Sequence, residues 1–396
     1  MVARIMRVIA LQRSPKLRRP AGEGVLPTRD YRSICAENST FLGCCLLFMG
    51  LLSAISSHAW GSSPLVLTEF IYEQAPVPSC HASTIAETPQ GLIAAWFGGS
   101  DEGEPDVGIW ISRRGPSGWS PPVEVADGVQ YQRTDGPLHR WPCWNPVLYQ
   151  LPQGKLLLFY KCGPSPSTWW GMLTTSHDHG VTWDLPQRLP DGIWGPVKNK
   201  PVWLGEDGLL CGCSTEDRGW RVHFEWLTWD EQQRPRWKRT DALNDGQQLA
   251  AIQPSVLFHR DGRWQAVGRT RQGKVFSLWS SDQGITWSPM ELLELPNPNA
   301  GTDALTMRDG RHMLVYNHTT RGRTPLNVAV SEDGKRWQAA LVLEHQPGEY
   351  SYPAVIQTQD GLIHITYTWK RQRIKHVVLD PARLTLKPIV EGKWPE

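Results

Sequence analysis

Thr88-Pro89-Gln90-Gly91-Leu92-Ile93-Ala94-Ala95 sets a turn glycine between two apolar runs, and the arrangement returns five more times. The later copies are Leu151-Pro-Gln-Gly154-Lys-Leu-Leu-Leu, Gly205-Glu-Asp-Gly208-Leu-Leu, His259-Arg-Asp-Gly262-Arg-Trp, Met307-Arg-Asp-Gly310-Arg-His and Thr358-Gln-Asp-Gly361-Leu-Ile. Their glycines stand 63, 54, 54, 48 and 51 residues apart, a repeat length that belongs to propellers and solenoids. Gln-Gly or Asp-Gly between apolar stretches makes a tight hairpin, because glycine alone takes positive φ without a Cβ clash. One hairpin per unit leaves room for two more strands. Each unit therefore predicts a four-stranded antiparallel blade, and six units predict an all-β, six-bladed β-propeller. Such a ring brings one set of residues from every blade to a single axial pocket.

Composition agrees with many short strands joined by turns. The 396 residues include 21 Trp, 36 Gly and 32 Pro, and no helical apolar period of useful length follows residue 60. The net charge of +2 gives no electrostatic footprint for nucleic acid. Residues 1–60 read as a leader and 61–396 as the propeller. Within the leader, Phe41–Ser56 is a 16-residue apolar stretch followed by Ser57-His-Ala59, small residues suited to signal-peptidase cleavage. It falls short of the ~20 residues that span a bilayer. Export, periplasmic or secreted, is the expectation, and membrane contact follows only if the leader stays uncleaved as an anchor. Cys80, Cys143, Cys162, Cys211 and Cys213 remain after the leader, an odd count without repeated spacing that reads as buried thiols, with one adventitious bridge left open in an oxidising compartment.

A second repeat lies between the hairpins. Ser176-His-Asp178-His-Gly180-Val-Thr182-Trp183 and Ser280-Ser-Asp282-Gln-Gly284-Ile-Thr286-Trp287 share Ser-x-Asp-x-Gly-x-Thr-Trp. Ser331-Glu-Asp333-Gly334-Lys-Arg-Trp337 is a shortened copy, and Ser112-Arg-Arg-Gly115-Pro-Ser-Gly-Trp119 a worn one. Asp accepts turn N–H groups, Gly takes the left-handed position and Trp packs between blades, so these turns are structural. The motif resembles the Asp-box of the sialidase (neuraminidase) superfamily, and the resemblance runs from about Leu65 to Asp380. It implies a six-bladed propeller with a glycan pocket at the axis.

The repeat phase nominates pocket residues independently of that resemblance. The innermost strand precedes each hairpin glycine and often opens on a residue followed by Pro, which lacks an N–H and suits a strand's start. This selects His81, Asn145, Lys200, Gln253, Asp303 and Tyr352. The returning strand ends about seven residues past the glycine, selecting the 98–106 segment, Lys161, the 214–216 segment, Arg269 with Arg271, His318 and Trp369. The sialidase resemblance then implies roles. Tyr352 matches the nucleophile, Arg269 and Arg323 match two of three carboxylate-gripping arginines, with Arg321 as the lesser choice for the latter. In the acidic loop Asp106 is the first choice for the acid/base and Glu102 the second. A guanidinium suits a planar carboxylate because it donates two parallel hydrogen bonds.

Two positions depart from the family pattern. His81-Ala-Ser stands where sialidases carry Arg-Ile-Pro, and Gln253 stands where they carry the Glu that activates the tyrosine. Glutamine takes no proton, so Glu216 or Glu349 would have to substitute, while His81 titrates near neutrality and suits acid or base work.

The leading expectation is an exported exo-glycoside hydrolase acting on a terminal, acidic or deoxy sugar. The alternatives are a lyase on uronic-acid glycans, with His81 and Tyr352 as base and acid, and a non-catalytic glycan-binding propeller. Trp96, Trp141, Trp144, Trp169, Trp170 and Trp369 are candidates to stack on sugar, although each taken singly suits the core better. No Gly-rich phosphate loop, zinc spacing or Gly-x-Ser-x-Gly elbow is present, so no cofactor or metal is called for.

Overall fold

All six hairpin glycines take positive φ, between 80° and 116°. At Gly91 an added Cβ would sit 2.4 Å from the Arg114 carbonyl oxygen, and at Gly208 it would sit 2.1 Å from that of Leu227. No side chain fits at either turn. The computed structural model describes residues 63–132, 136 and 138–396, so the leader and its apolar segment lie outside the described residues.

The hairpins organise six antiparallel sheets in chain order. Their innermost strands are Ser79–Thr88, Cys143–Gln150, Val202–Trp203, Ala251–Phe258, Asp303–Thr306 and Tyr350–Gln357. Four sheets have four strands. The first gains Val123–Ala126 beside Gly108–Gly115, and the fifth gains Lys387–Pro388 outside Trp337–Glu344. The ring closes where Leu65–Phe70 pairs antiparallel with Arg373–Leu379, so the start of the described chain supplies the outermost strand of the last blade. The protein is an all-β, six-bladed propeller, with two short 3₁₀ turns as its only helical elements among the described residues.

Blades stack through apolar faces. Ile93, Phe97 and Ile109 of the first blade bury against Leu148, Leu158 and Tyr160 of the second. The Ser-x-Asp turns follow the third strands and are tied internally. Gly180 N–H donates to Ser176 Oγ (2.7 Å) and Thr182 N–H to Asp178 Oδ1 (2.8 Å), and the Ser280 turn repeats both bonds at 2.8 and 2.9 Å. Trp287 stacks on Phe224 of the preceding blade, with centroids 4.4 Å apart and planes at 15°. Asp178 and Asp282 are turn residues, as their spacing predicts.

The X-Pro pairs correct one expectation. Asn145-Pro146, Gln253-Pro254 and Tyr352-Pro353 lie inside their strands at register shifts, rather than at the strand starts. The residue before each proline has positive φ, 39°, 59° and 51° respectively, and Ala82 (53°) holds the corresponding place in the first blade. These are β-bulges, which insert an extra residue and re-aim its neighbours. A non-glycine residue at such φ costs on the order of 1–3 kcal/mol and persists only where its surroundings hold it. Four copies around one axis mark where the fold stores strain. Lys200 and Asp303 do not share this conformation; their strands begin at Val202 and Asp303.

Candidate active site

Tyr352 stands at the centre of the axial cluster. Its bulge turns the buried ring against His81, with centroids 4.2 Å apart and planes at 52°. Arg269 comes from the returning strand Trp264–Thr270. Its Nη2 donates to the Tyr352 hydroxyl (3.0 Å) and its Nη1 to the Asn299 carbonyl (3.1 Å). The same guanidinium lies between two aromatic rings, 5.2 Å from the Tyr352 centroid and 5.1 Å from that of Trp220. Its Nε has no hydrogen-bond partner.

Two more cations approach the same phenol ring. Arg323 lies 5.6 Å and Lys198 Nζ 5.9 Å from its centroid. Arg323 Nη1 donates to Glu349 (3.0 Å) and to Ser351 Oγ (3.3 Å). Glu349 also accepts from Arg371 Nε at 3.1 Å on both oxygens, and Arg371 Nη1 donates to Glu102. Glu349 therefore clamps two guanidiniums side by side, with Glu102 beyond the second.

His81 is buried in this positive field. Burial first, then the charges of Arg371, Arg323, Arg269 and Lys198, hold its pKa well below the usual imidazole range. It is neutral at pH 7. Its Nδ1 is 3.0 Å from Thr368 Oγ1, which also accepts the Ala82 N–H (3.1 Å). Lys198 donates to Asn199 Oδ1 and to the Thr302 and Pro353 carbonyls. Burial pulls its pKa down to about 7, against the opposing pull of Asp303. Glu216 is shifted upward by burial, with Arg269 the main opposing influence.

The cluster thus gathers Tyr352, His81, Glu102, Arg269 and Arg323 from the residues that the sequence nominates. Other nominees sit elsewhere. Asp106 is exposed and closes its own loop, accepting from Ser100 N–H (2.9 Å) and Ser100 Oγ (2.8 Å). Lys200 is bound to both oxygens of buried Asp303 (3.1 and 3.0 Å) and to the Ala304 carbonyl. Arg271 stacks on Trp220 at 4.4 Å. Arg321 is exposed and its side chain has no hydrogen bond among the described residues. Asn145 and Gln253 are buried at their bulges. Gln253 accepts Asn199 Nδ2 on its main-chain oxygen (2.9 Å), while its Oε1 has no partner. Of the tryptophans, Trp96 is core, packed on Tyr72.

Arg371 and Lys198 escaped the sequence reading. Arg371 lies two residues past Trp369, in a hairpin tip whose Trp-Lys-Arg-Gln-Arg string reads as ordinary charged turn. The offset that selects Arg271 beyond Arg269 would have found it. Lys198 precedes the repeat element and carries no motif.

One group of metal-type ligands lies away from the axis. Cys213, His223 and Glu225 place ligand atoms within 4.8 Å of one another. Glu225 already accepts from Trp194 N–H, Gly195 N–H and His223 Nε2, and Cys213 donates to the Gly195 carbonyl. Buried Lys161 binds the Pro196 carbonyl beside them. This is a knot that fastens the 194–196 loop to the third blade.

A family model described as a BNR repeat-like domain matches residues 90–365. No curated protein matches the chain. Among solved structures, the NanB sialidase of Streptococcus pneumoniae is similar at 13% identity and TM-score 0.63, over 82% of this chain and 72% of that one. The intramolecular trans-sialidase of Ruminococcus gnavus is similar at 14% identity and TM-score 0.61, over 83% and 100%. An alpha-L-arabinanase of Penicillium chrysogenum is similar at 18% identity and TM-score 0.57, over 81% and 99%. At these identities the likeness is one of fold.

Proposed function

Because the chain belongs to the BNR repeat-like domain family, on the propeller fold that sialidases share, we propose that it is an exported exo-glycoside hydrolase that removes a terminal acidic sugar at the propeller axis. One observation carries the reading. Arg269, Arg323 and Lys198 approach a single buried phenol, and Arg269 has no carboxylate within hydrogen-bond distance among the described residues. Arginine charge beside the buried ring, with Arg269 unpaired, favours an anionic occupant, and guanidiniums favour a planar carboxylate.

In this reading Tyr352 supplies the nucleophilic oxygen. Gln253 takes no proton, so His81 is assigned the base, on the argument that an anionic sugar paired with Arg269 and Arg323 offsets the cations that depress its pKa. When Nδ1–H donates to Thr368 Oγ1, Nε2 is left unprotonated and able to accept a proton. Glu102, the loop carboxylate that touches the cluster, is assigned the acid in place of Asp106. The sialidase neighbours support a sialoside-like substrate, and the arabinanase neighbour shows that other glycans are handled on the same fold. A second reading rests on the contact of neutral His81 with Tyr352. Base and phenol beside arginines that neutralise a carboxylate would also serve β-elimination on a uronic acid.

The test is a screen of the purified full-length chain against sialosides, rhamnosides and uronic-acid glycans, with Tyr352→Phe as control. Released reducing sugar from an acidic glycan, lost in the variant, supports hydrolysis. Absorbance of a new conjugated double bond supports the lyase. Binding without turnover in any group, unchanged by the variant, overturns both in favour of a glycan-binding propeller.

A further inference from the structure

Cys143 and Cys162 are direct partners across neighbouring strands of the second blade, in the register of Cys143–Gln150 against Leu156–Cys162. Direct partners in an antiparallel pair have Cα atoms roughly 4.5–5.5 Å apart, inside the roughly 4.4–6.8 Å that a disulfide spans. Both thiols are free and buried, and Cys162 Sγ donates to the Trp141 carbonyl (3.8 Å). The other described cysteines have no such partner. Cys80 accepts the Tyr72 hydroxyl, while Cys211 and Cys213 are opposite Glu225 and His223. Cys162 also lines a cleft with Asp127, Gln130, Tyr160 and Met172, and Gln130 Nε2 donates to its sulfur at 3.4 Å.

We propose that Cys143 and Cys162 form a reversible cross-strand disulfide, a redox modification site at the edge of the axial cluster. The oxidant is a small-molecule disulfide such as oxidised glutathione. Cys162 attacks first: the neighbouring Cys143 and the Gln130 amide hold its pKa below the ordinary thiol range against burial, whereas the neighbouring Cys162 and burial push Cys143 up. Its thiolate attacks one sulfur of the oxidant and releases one glutathione thiolate. Cys143 then loses its proton and attacks Cys162 Sγ, releasing the second, so two protein thiols and one disulfide become one protein disulfide and two glutathione thiols. The bond would act on the site through the backbone. Cys143 N–H donates to the Val107 carbonyl (2.9 Å), at the end of the loop that carries Glu102, and the Trp144 ring packs on Phe97.

The full chain, reduced and then equilibrated with oxidised and reduced glutathione, is alkylated, digested and mapped by mass spectrometry. The expected result is a linked Cys143–Cys162 peptide, reversed by dithiothreitol, with a thermal midpoint raised by roughly 5 °C in the oxidised form. Cys143→Ser should trap glutathione on Cys162, and Cys162→Ser should leave Cys143 unmodified. The proposal is overturned if both thiols of the wild-type chain stay alkylatable after oxidation. It is equally overturned if the linked peptides pair either cysteine with Cys35, Cys44, Cys45, Cys80, Cys211 or Cys213. Wild-type mapping decides the matter even if a serine variant fails to fold.

Discussion

Arg269 Nη2 donates to the hydroxyl of Tyr352 at 3.0 Å, across 83 residues of sequence. The bond joins the fourth blade to the sixth over the axis, and it exists because a β-bulge at Tyr352 turns that ring inward. It fixes the phenol oxygen beside a guanidinium whose Nε–H has no partner. That pairing underlies the assignment of Tyr352 as the reacting group.

Tyr352→Phe removes only the hydroxyl and keeps the ring that His81, Arg323 and Lys198 approach. The expected outcome is a fall in kcat of roughly a hundred- to ten-thousand-fold on whichever acidic glycan is turned over, with ligand affinity within a few-fold of wild type. Steady-state kinetics and calorimetric titration of the same substrate check it. A variant that keeps wild-type kcat removes Tyr352 from the chemistry.

Glu349 holds Arg323 and Arg371 together, accepting from both. Glu349→Gln weakens both bonds and lets the guanidiniums separate. KM for an anionic substrate is expected to rise about tenfold with kcat little changed, since a charge-assisted bond is worth about 1.5–3 kcal/mol and both partners are partly exposed. A neutral substrate analogue should show no such change in KM.

Asp303 ties the fifth blade to the fourth and the sixth. Buried almost completely, it accepts from Lys200, from Ser255 Oγ (2.9 Å), and from the Ala304 (2.9 Å) and Val355 (2.8 Å) N–H groups. Asp303→Asn leaves the Lys200 ammonium without its counter-charge. Denaturant unfolding should show a loss of about 3–5 kcal/mol, the usual cost of breaking a buried pair from one side. A loss below 1 kcal/mol would mean that the pair is solvated in solution.

Stability should fall on mild acidification. His364 contacts His376, which in turn contacts Glu69, where the first described strand closes the ring. Burial pulls His364 and His312 down to about 4 and His376 below its ordinary value. A histidine with a depressed folded pKa stabilises fully above its unfolded value of about 6.5, and that contribution drains away as pH falls toward 4. The thermal midpoint should therefore decline by several degrees between pH 7 and 4.5. The turn carboxylates Asp178, Asp282 and Asp333, depressed mainly by their own turn bonds, act only at more acidic pH. A midpoint flat down to pH 4.5 would contradict the neutral, buried state of these imidazoles.

The sequence alone determined the ring and its phase. A glycine that must take positive φ and the Ser-x-Asp-x-Gly-x-Thr-Trp turns are local requirements, met by residues next to each other, so six repeats expose six blades without coordinates. The same phase pointed to Tyr352, His81 and Arg269 because blade position fixes distance from the axis, whereas Arg323 was nominated only by the sialidase resemblance. Tertiary structure decided the rest. Only the bulges show which way Tyr352 and Gln253 turn, and only closure brings Arg371 of the last blade onto Glu102 of the first. Asp106 turning back to Ser100, and Lys200 committing to Asp303, are choices among polar partners that no spacing encodes. A hairpin is dictated by the few residues that make it, whereas a charged side chain selects its partner from distant segments that become neighbours only once the ring is shut.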